Sequence, residues 1–167
     1  NKKYCSQGDP MRFTSTRDTS ISITSAEAIV RGLSAEGGLF VPESFPGIGM
    51  DEVLSYASRG YAQCASSVMG RYLTDFSEEE LSNMTAEAYS GFDVSAVVPL
   101  KDVGSGEFIM ELYHGPTLAF KDMALQMLPR LMAASIEKTG EKAKVLILVA
   151  TSGDTGKAAL EGFADVP

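Results

Sequence analysis

Lys144 to Lys157, KVLILVATSGDTGK, is the stretch whose reading decides the fold. Its first half, Lys144 to Ala150, is almost continuously apolar, rich in β-branched residues and bounded by polar turns. Such a run reads as a central strand buried on both faces, the kind that parallel sheets use. Its second half, Thr151 to Lys157, is a turn with two glycines, and the helical run AALEGF follows it. Strand, tight turn and helix in that order build the anion site of open α/β sheets. Glycine lets the backbone approach a ligand, the turn amides point outward, and the helix dipole favours negative charge. Ser152 and Thr155 add hydroxyl donors beside Gly153, Asp154, Gly156 and Lys157. An ordinary β-to-α turn capped by Asp154 or Thr155, with Lys157 in solvent, carries the same pattern. A nucleotide-binding P-loop does not fit. Thr151 stands where that motif needs its first glycine, and Ala158 follows Lys157 where it needs a hydroxyl residue.

Upstream lies Glu111 to Gln126, ELYHGPTLAFKDMALQ. Laid on a helix, Lys121 shares a face with Thr117, Leu118, Ala124, Leu125 and Leu128. A free ammonium is costly in an apolar stripe. One reading is snorkelling, with the stem along apolar surface and the head in water. The other is chemistry. A desolvated lysine has a lowered pKa and can attack a carbonyl as a neutral amine. Together with an anion-binding turn this points to Schiff-base chemistry, and pyridoxal phosphate is the cofactor that calls for such a lysine.

The remaining pattern is mixed. Residues 12–15, RFTS, suit a short edge strand. Thr24 to Glu27 is a capping box that opens a helix ending near Gly32. Gly37-Gly38 forces a turn before Leu39-Phe40-Val41, which Pro42 terminates. A long helix is expected from Asp51 to about Tyr72, and a second capping box, Ser77 to Glu80, opens another helix to about Tyr89. Glu78, Glu79 and Glu80 suit its positive end. From Val94 the pattern changes. Ala96 to Leu100 and Phe108 to Tyr113 read as a hairpin joined by KDVGSGE. A domain boundary therefore falls at about residue 95. The helix carrying Lys121 should end near Leu128, with another from Pro129 to Lys138 closed by Thr139-Gly140.

Bulk properties narrow the class. The chain has 167 residues, 44% apolar and 22% charged, with a net charge of −8. That is globular composition. It argues against nucleic acid as a partner, since phosphate binding needs clustered Lys and Arg. No apolar run approaches the roughly 18 residues of a membrane helix. The polar NKKYCSQGDP has no apolar region of a signal peptide and reads as a leader or a cloning remnant ahead of Met11. Cys5 and Cys64 alone make neither a disulfide framework nor a metal cluster, so no metal is expected. His114 is the single histidine. A cytoplasmic compartment fits best.

Two segments, HGPTLAFKDMALQ (His114 to Gln126) and ATSGDTGKAA (Ala150 to Ala159), resemble the signature segments of threonine synthase, a fold-type II pyridoxal-phosphate enzyme. Residues 12–17, RFTSTR, and Gly37 to Glu43, GGLFVPE, resemble that family's N-terminal signatures. The resemblance implies that Lys121 carries the cofactor as a Schiff base, with His114 and Thr117 near it. It implies that Ser152, Gly153, Asp154, Thr155 and Gly156, with Lys157 beside them, face the substrate's carboxylate. The implied reaction converts O-phospho-L-homoserine and water to L-threonine and phosphate, with Lys121 as proton shuttle. A threonine dehydratase or cysteine synthase shares the lysine and the turn, and a non-catalytic anion-binding module is the reading from a different class.

The fold class expected is α/β. An N-terminal helical α+β domain over 11–95 precedes the incomplete beginning of a pyridoxal-phosphate-binding parallel-sheet domain over 96–167. Family members run well over twice this length, and the loop that cups the cofactor phosphate is absent. The chain therefore reads as a fragment that neither holds the cofactor tightly nor turns over, as a monomer or a homodimer.

Overall fold

A computed structural model describes residues 10–164 and residue 166, so Cys5 and the expected leader, apart from Pro10, lie outside the described residues. Strand β1 (Phe13–Ser15) pairs antiparallel with β2 (Phe40–Pro42), Phe13 opposite Pro42. Helix α1 (Ser25–Arg31) lies between them in the chain. Its capping box closes as the sequence implies. The Glu27 amide donates to Thr24 Oγ1 at 3.2 Å, and the Thr24 amide donates to Glu27 Oε2 at 2.8 Å. Asp75 takes a further first-turn donor, the Ala26 amide, at 2.8 Å.

The long helix expected over residues 51–72 is two helices, α2 (Met50–Tyr56) and α3 (Tyr61–Met69). Gly60 takes an extended backbone as the N-cap of α3. Helix α2 has already ended at Tyr56, and Gly60, which would cost about 1 kcal/mol against alanine inside a continuous helix, starts the next one instead. Helix α4 (Glu78–Tyr89) starts at the Ser77–Glu80 capping box, and Glu80 also pairs with Lys138 at 2.7 Å.

The hairpin is present with its turn displaced from the expected one. Strands β3 (Leu100–Gly104) and β4 (Glu107–Met110) place Lys101 to Gly104 inside the ladder and leave only Ser105-Gly106 as loop. Both loop residues have positive φ, 55° and 76°, the backbone that matches strand twist in a two-residue hairpin. Helices α5 (Asp122–Leu125), α6 (Leu128–Thr139) and α7 (Asp154–Phe163) follow. Pro129 sits in the first turn of α6, and Gly140 closes that helix in the left-handed conformation.

Helix α6 is the centre of the packing and touches α1, α4, α5 and α7. On one side Ala26, Phe76 and Leu81 form a buried cluster with Leu73, Leu131 and Ala134 against it. On the other, Ala88, Tyr89, Val97 and Met127 are buried together, with Tyr61 and Met123 at their edge. The Tyr89 hydroxyl donates to the Met123 carbonyl at 3.2 Å, tying α4 to α5. Burial pushes the Tyr89 phenol up to about 12, so the hydroxyl keeps its proton and stays a donor across the neutral range.

The central strand expected at residues 144–150 is not formed. No residue of that run pairs with another strand among the described residues, and Leu146 and Leu148 are 84% and 88% exposed. A strand destined for burial on both faces needs neighbours on both sides, and the described residues supply none. The architecture is thus mixed α and β with two small antiparallel sheets and no parallel sheet among the described residues.

Candidate functional site

The segment after β4 is fixed before it reaches Lys121. Glu111 donates its amide to the Pro99 carbonyl at 3.1 Å, and Asp93 donates its amide to the His114 carbonyl at 3.0 Å. The His114 ring lies between two carboxylates, Nδ1 at 2.7 Å from Asp93 Oδ1 and Nε2 at 3.0 Å from Glu111 Oε2. Two acceptors facing both ring nitrogens require both nitrogens to donate, which is the imidazolium form. The hydrogen bond to Glu111 is the main cause that raises the His114 pKa above its ordinary value; burial opposes it, and the bond to Asp93 adds a smaller rise. The same bond holds Glu111 below the usual glutamate range. His114 is therefore a clamp between residues 93 and 111, with both ring nitrogens already engaged.

From Gly115 the backbone does not continue as a helix. Leu118 takes φ 59°, and the preceding residues are turn, so the helical face expected to join Thr117 and Leu118 to Lys121 does not exist. A left-handed non-glycine residue costs about 1–2 kcal/mol and persists where its surroundings dictate it. Those surroundings are Asp122. Its carboxylate is completely buried, taking the Thr117 amide on Oδ2 at 2.8 Å and the Thr117 hydroxyl on Oδ1 at 2.7 Å. Gly115 presses on the same group, where a Cβ would lie 2.5 Å from Asp122 Oδ2.

Lys121 is the N-cap of α5 rather than a mid-helix residue. It is half-buried, and its Nζ stands 4.5 Å from the centre of the Phe120 ring. Leu118 and Phe120 are mostly exposed, so the apolar stripe expected around the ammonium is open to solvent. Among the described residues no hydrogen bond or ion pair engages the Lys121 ammonium.

The second constellation keeps its turn and its helix. Gly153, at φ 143°, is the N-cap of α7, and Ser152, Gly153, Asp154 and Lys157 are exposed while Thr155 and Gly156 are half-buried. Neither Asp154 nor Thr155 caps the helix. Thr151 organises the turn instead, its Oγ1 accepting from the Gly153 amide at 3.2 Å and the Gly156 amide at 3.0 Å. Lys157 pairs with Asp154 at 3.7 Å on the surface. Helix α7 packs on α5 where Gly162 meets the Leu125 carbonyl. The two constellations thus lie on touching helices, though no hydrogen bond or ion pair joins Lys121 to the turn among the described residues.

Sequence reasoning missed Asp122 and Thr151. A Thr four residues before a Lys-Asp pair carries no periodicity, and Thr151 reads as the end of a strand. Glycine at 115 was the available sign of a crowded backbone.

Residues 12–89 match the family model described as "Threonine synthase N terminus". The chain is 40% identical over 153 residues to threonine synthase of Pseudomonas aeruginosa, covering 91% of this chain and 32% of that protein. It is 35% identical over 159 residues to threonine synthase of Schizosaccharomyces pombe, covering 90% of this chain and 31% of that one. The crystal structure of PLP-bound threonine synthase from Brucella melitensis superposes with a TM-score of 0.86 at 36% identity, over 94% of this chain and 34% of that one. The chain spans about a third of the length of the relatives it matches. By sequence and by fold the chain corresponds to the N-terminal region of the threonine synthases.

Proposed function

We propose that this chain provides the lysine-bearing region of a pyridoxal-phosphate-dependent threonine synthase, which converts O-phospho-L-homoserine and water to L-threonine and phosphate. In this reading 11–95 is an N-terminal α+β domain and 96–167 the beginning of the cofactor-binding domain. The observation that carries the proposal is the state of Lys121. Its amine lies over the Phe120 ring and, among the described residues, makes no hydrogen bond or ion pair, while Thr117 before it and Asp122 after it are tied together by two hydrogen bonds. A primary amine free of such bonds, on a fixed backbone, suits covalent attachment to a carbonyl cofactor. When bound, pyridoxal phosphate supplies an electron sink for the substrate's amino-acid carbons.

The chain's own residues then have distinct tasks. Lys121 Nζ would hold the cofactor and would move protons at the substrate's Cα and Cβ. Ser152 to Lys157 receive the substrate carboxylate, on a turn that Thr151 Oγ1 folds by accepting the Gly153 and Gly156 amides, with the dipole of α7 behind it. Thr117 supports Lys121 through Asp122, and His114 fixes the entry to that loop.

Incubation with pyridoxal phosphate, borohydride reduction and peptide mapping tests the reading. Modification concentrated on Lys121 is expected. Labelling spread over surface lysines, with Lys121 spared, contradicts it and supports an anion-binding module instead.

A further inference from the structure

We propose that Asp122 is the positioning residue of the lysine site, and that its clasp on Thr117 sets where the Lys121 ammonium points. The inference rests on the reading of Lys121 given above and adds the device that aims it. Helix α5 cannot do this alone. It has four residues, and Lys121 only caps it, with no side-chain capping bond.

The clasp is built around a buried charge. Asp122 is 0% exposed, and an unpaired carboxylate in that position is strongly disfavoured. Both its oxygens are taken by the Thr117 amide and hydroxyl, at 2.8 and 2.7 Å. The five-residue span between them is tightened by two further bonds, Leu118 N to Gly115 O and Asp122 N to Ala119 O, both 3.0 Å. Gly115 leaves no space for a side chain against the carboxylate. Inside the loop, Ala119 and Asp122 point inward and are buried, whereas Phe120 is exposed and Lys121 half-buried. The residue adjacent to Lys121 is thus locked inward, which turns Lys121 itself outward over Phe120. Both carboxylate oxygens are spent within the loop that bears the lysine, so the clasp acts on that loop directly.

The test uses the full 167-residue chain and no cofactor. Lysines are reductively methylated with 13C-formaldehyde, and the Lys121 resonance is assigned by its loss in Lys121→Arg. The Phe120 ring under Nζ displaces that resonance, and Lys138, whose Nζ lies 5.0 Å from the Phe76 ring in the helical core, is the internal control. Thr117→Ser, which keeps both donors, should leave the Lys121 shift in place. Thr117→Val and Asp122→Asn should lose the displacement at Lys121 and keep it at Lys138. An unmoved Lys121 resonance in Thr117→Val and Asp122→Asn overturns the proposal. So does joint movement of Lys121 and Lys138, because the clasp would then hold the whole chain rather than aim one lysine. If the shifts behave as expected while borohydride labels other lysines, the clasp stands and the assigned role of Lys121 falls.

Discussion

Replacing Gly162 by alanine should separate α7, with the turn at its head, from the segment that carries Lys121. An alanine Cβ at 162 would lie 2.0 Å from the Leu125 carbonyl oxygen and 3.0 Å from its carbon, where ordinary contact begins at 3.4 Å. The obstruction is backbone, so side-chain rotation cannot relieve it. The helices must part by about 1.4 Å at that point. Overpacking of this kind costs about 1–3 kcal/mol. Alanine in place of glycine favours a helix by about 1 kcal/mol at most, and less at the penultimate position of α7. The steric term wins, leaving a net loss of about 1–2 kcal/mol. For a chain of this size that is a fall in Tm of roughly 2–8 °C. Urea titration gives the net value, and hydrogen exchange locates it. The amides of α7 should lose protection while those of α4 and α6 keep theirs. Leu160→Ala, at a position 73% exposed on the same helix, is the control and should stay within about 0.5 kcal/mol. A Gly162→Ala chain as stable as the parent, with α7 equally protected, refutes the packing argument.

The His114 clamp has a pH signature. Its folded pKa is raised, so the clamp's stabilisation is fully present below about 6.5 and is lost as pH rises through the folded value. Glu111 is lowered, so its share is present above its ordinary value and fades as pH falls through the lowered one. His114 is the chain's single histidine, so its ring resonances report the titration directly. A midpoint at or below 6.5 contradicts the two-carboxylate geometry. Leu81→Ala empties a site 1% exposed between α1, α4 and α6 and should cost about 2–5 kcal/mol by chemical denaturation. Gly60→Ser places a capping hydroxyl at the start of α3 where no atom lies within 4 Å, and should raise stability by a few tenths of a kcal/mol. Lowered stability would mean that Gly60 is needed for its backbone. The chain alone, with residues 144–150 unpaired, should release no phosphate from O-phospho-L-homoserine; measurable release contradicts that expectation.

Local chemistry was legible where two or three residues settle it. Thr24 with Glu27 and Ser77 with Glu80 announce helix starts because each donor and acceptor lies within one turn. Gly140 announces an end. The hairpin was visible as two β-prone runs, but its register depends on Ser105 accepting a positive φ, which composition does not reveal. Lys121 was found by its apolar neighbours at helical spacing, yet that spacing is illusory, since Leu118 turns the backbone before the helix begins. The lysine drew attention through the wrong geometry. Asp122 was invisible because its burial follows from a tertiary loop closing on it, not from any periodicity. Residues 144–150 show the opposite failure. Their pattern describes an environment that the described residues do not provide.

The central claim, that Lys121 is the working lysine of a threonine synthase, is tested most directly by a graft. This chain replaces the matching N-terminal third of the Pseudomonas aeruginosa enzyme, and phosphate and threonine formation are measured with and without Lys121→Ala. The account expects turnover from the graft and none from the Lys121→Ala graft of equal stability. Turnover that survives the loss of Lys121, or a folded graft that is inactive with Lys121 intact, contradicts it.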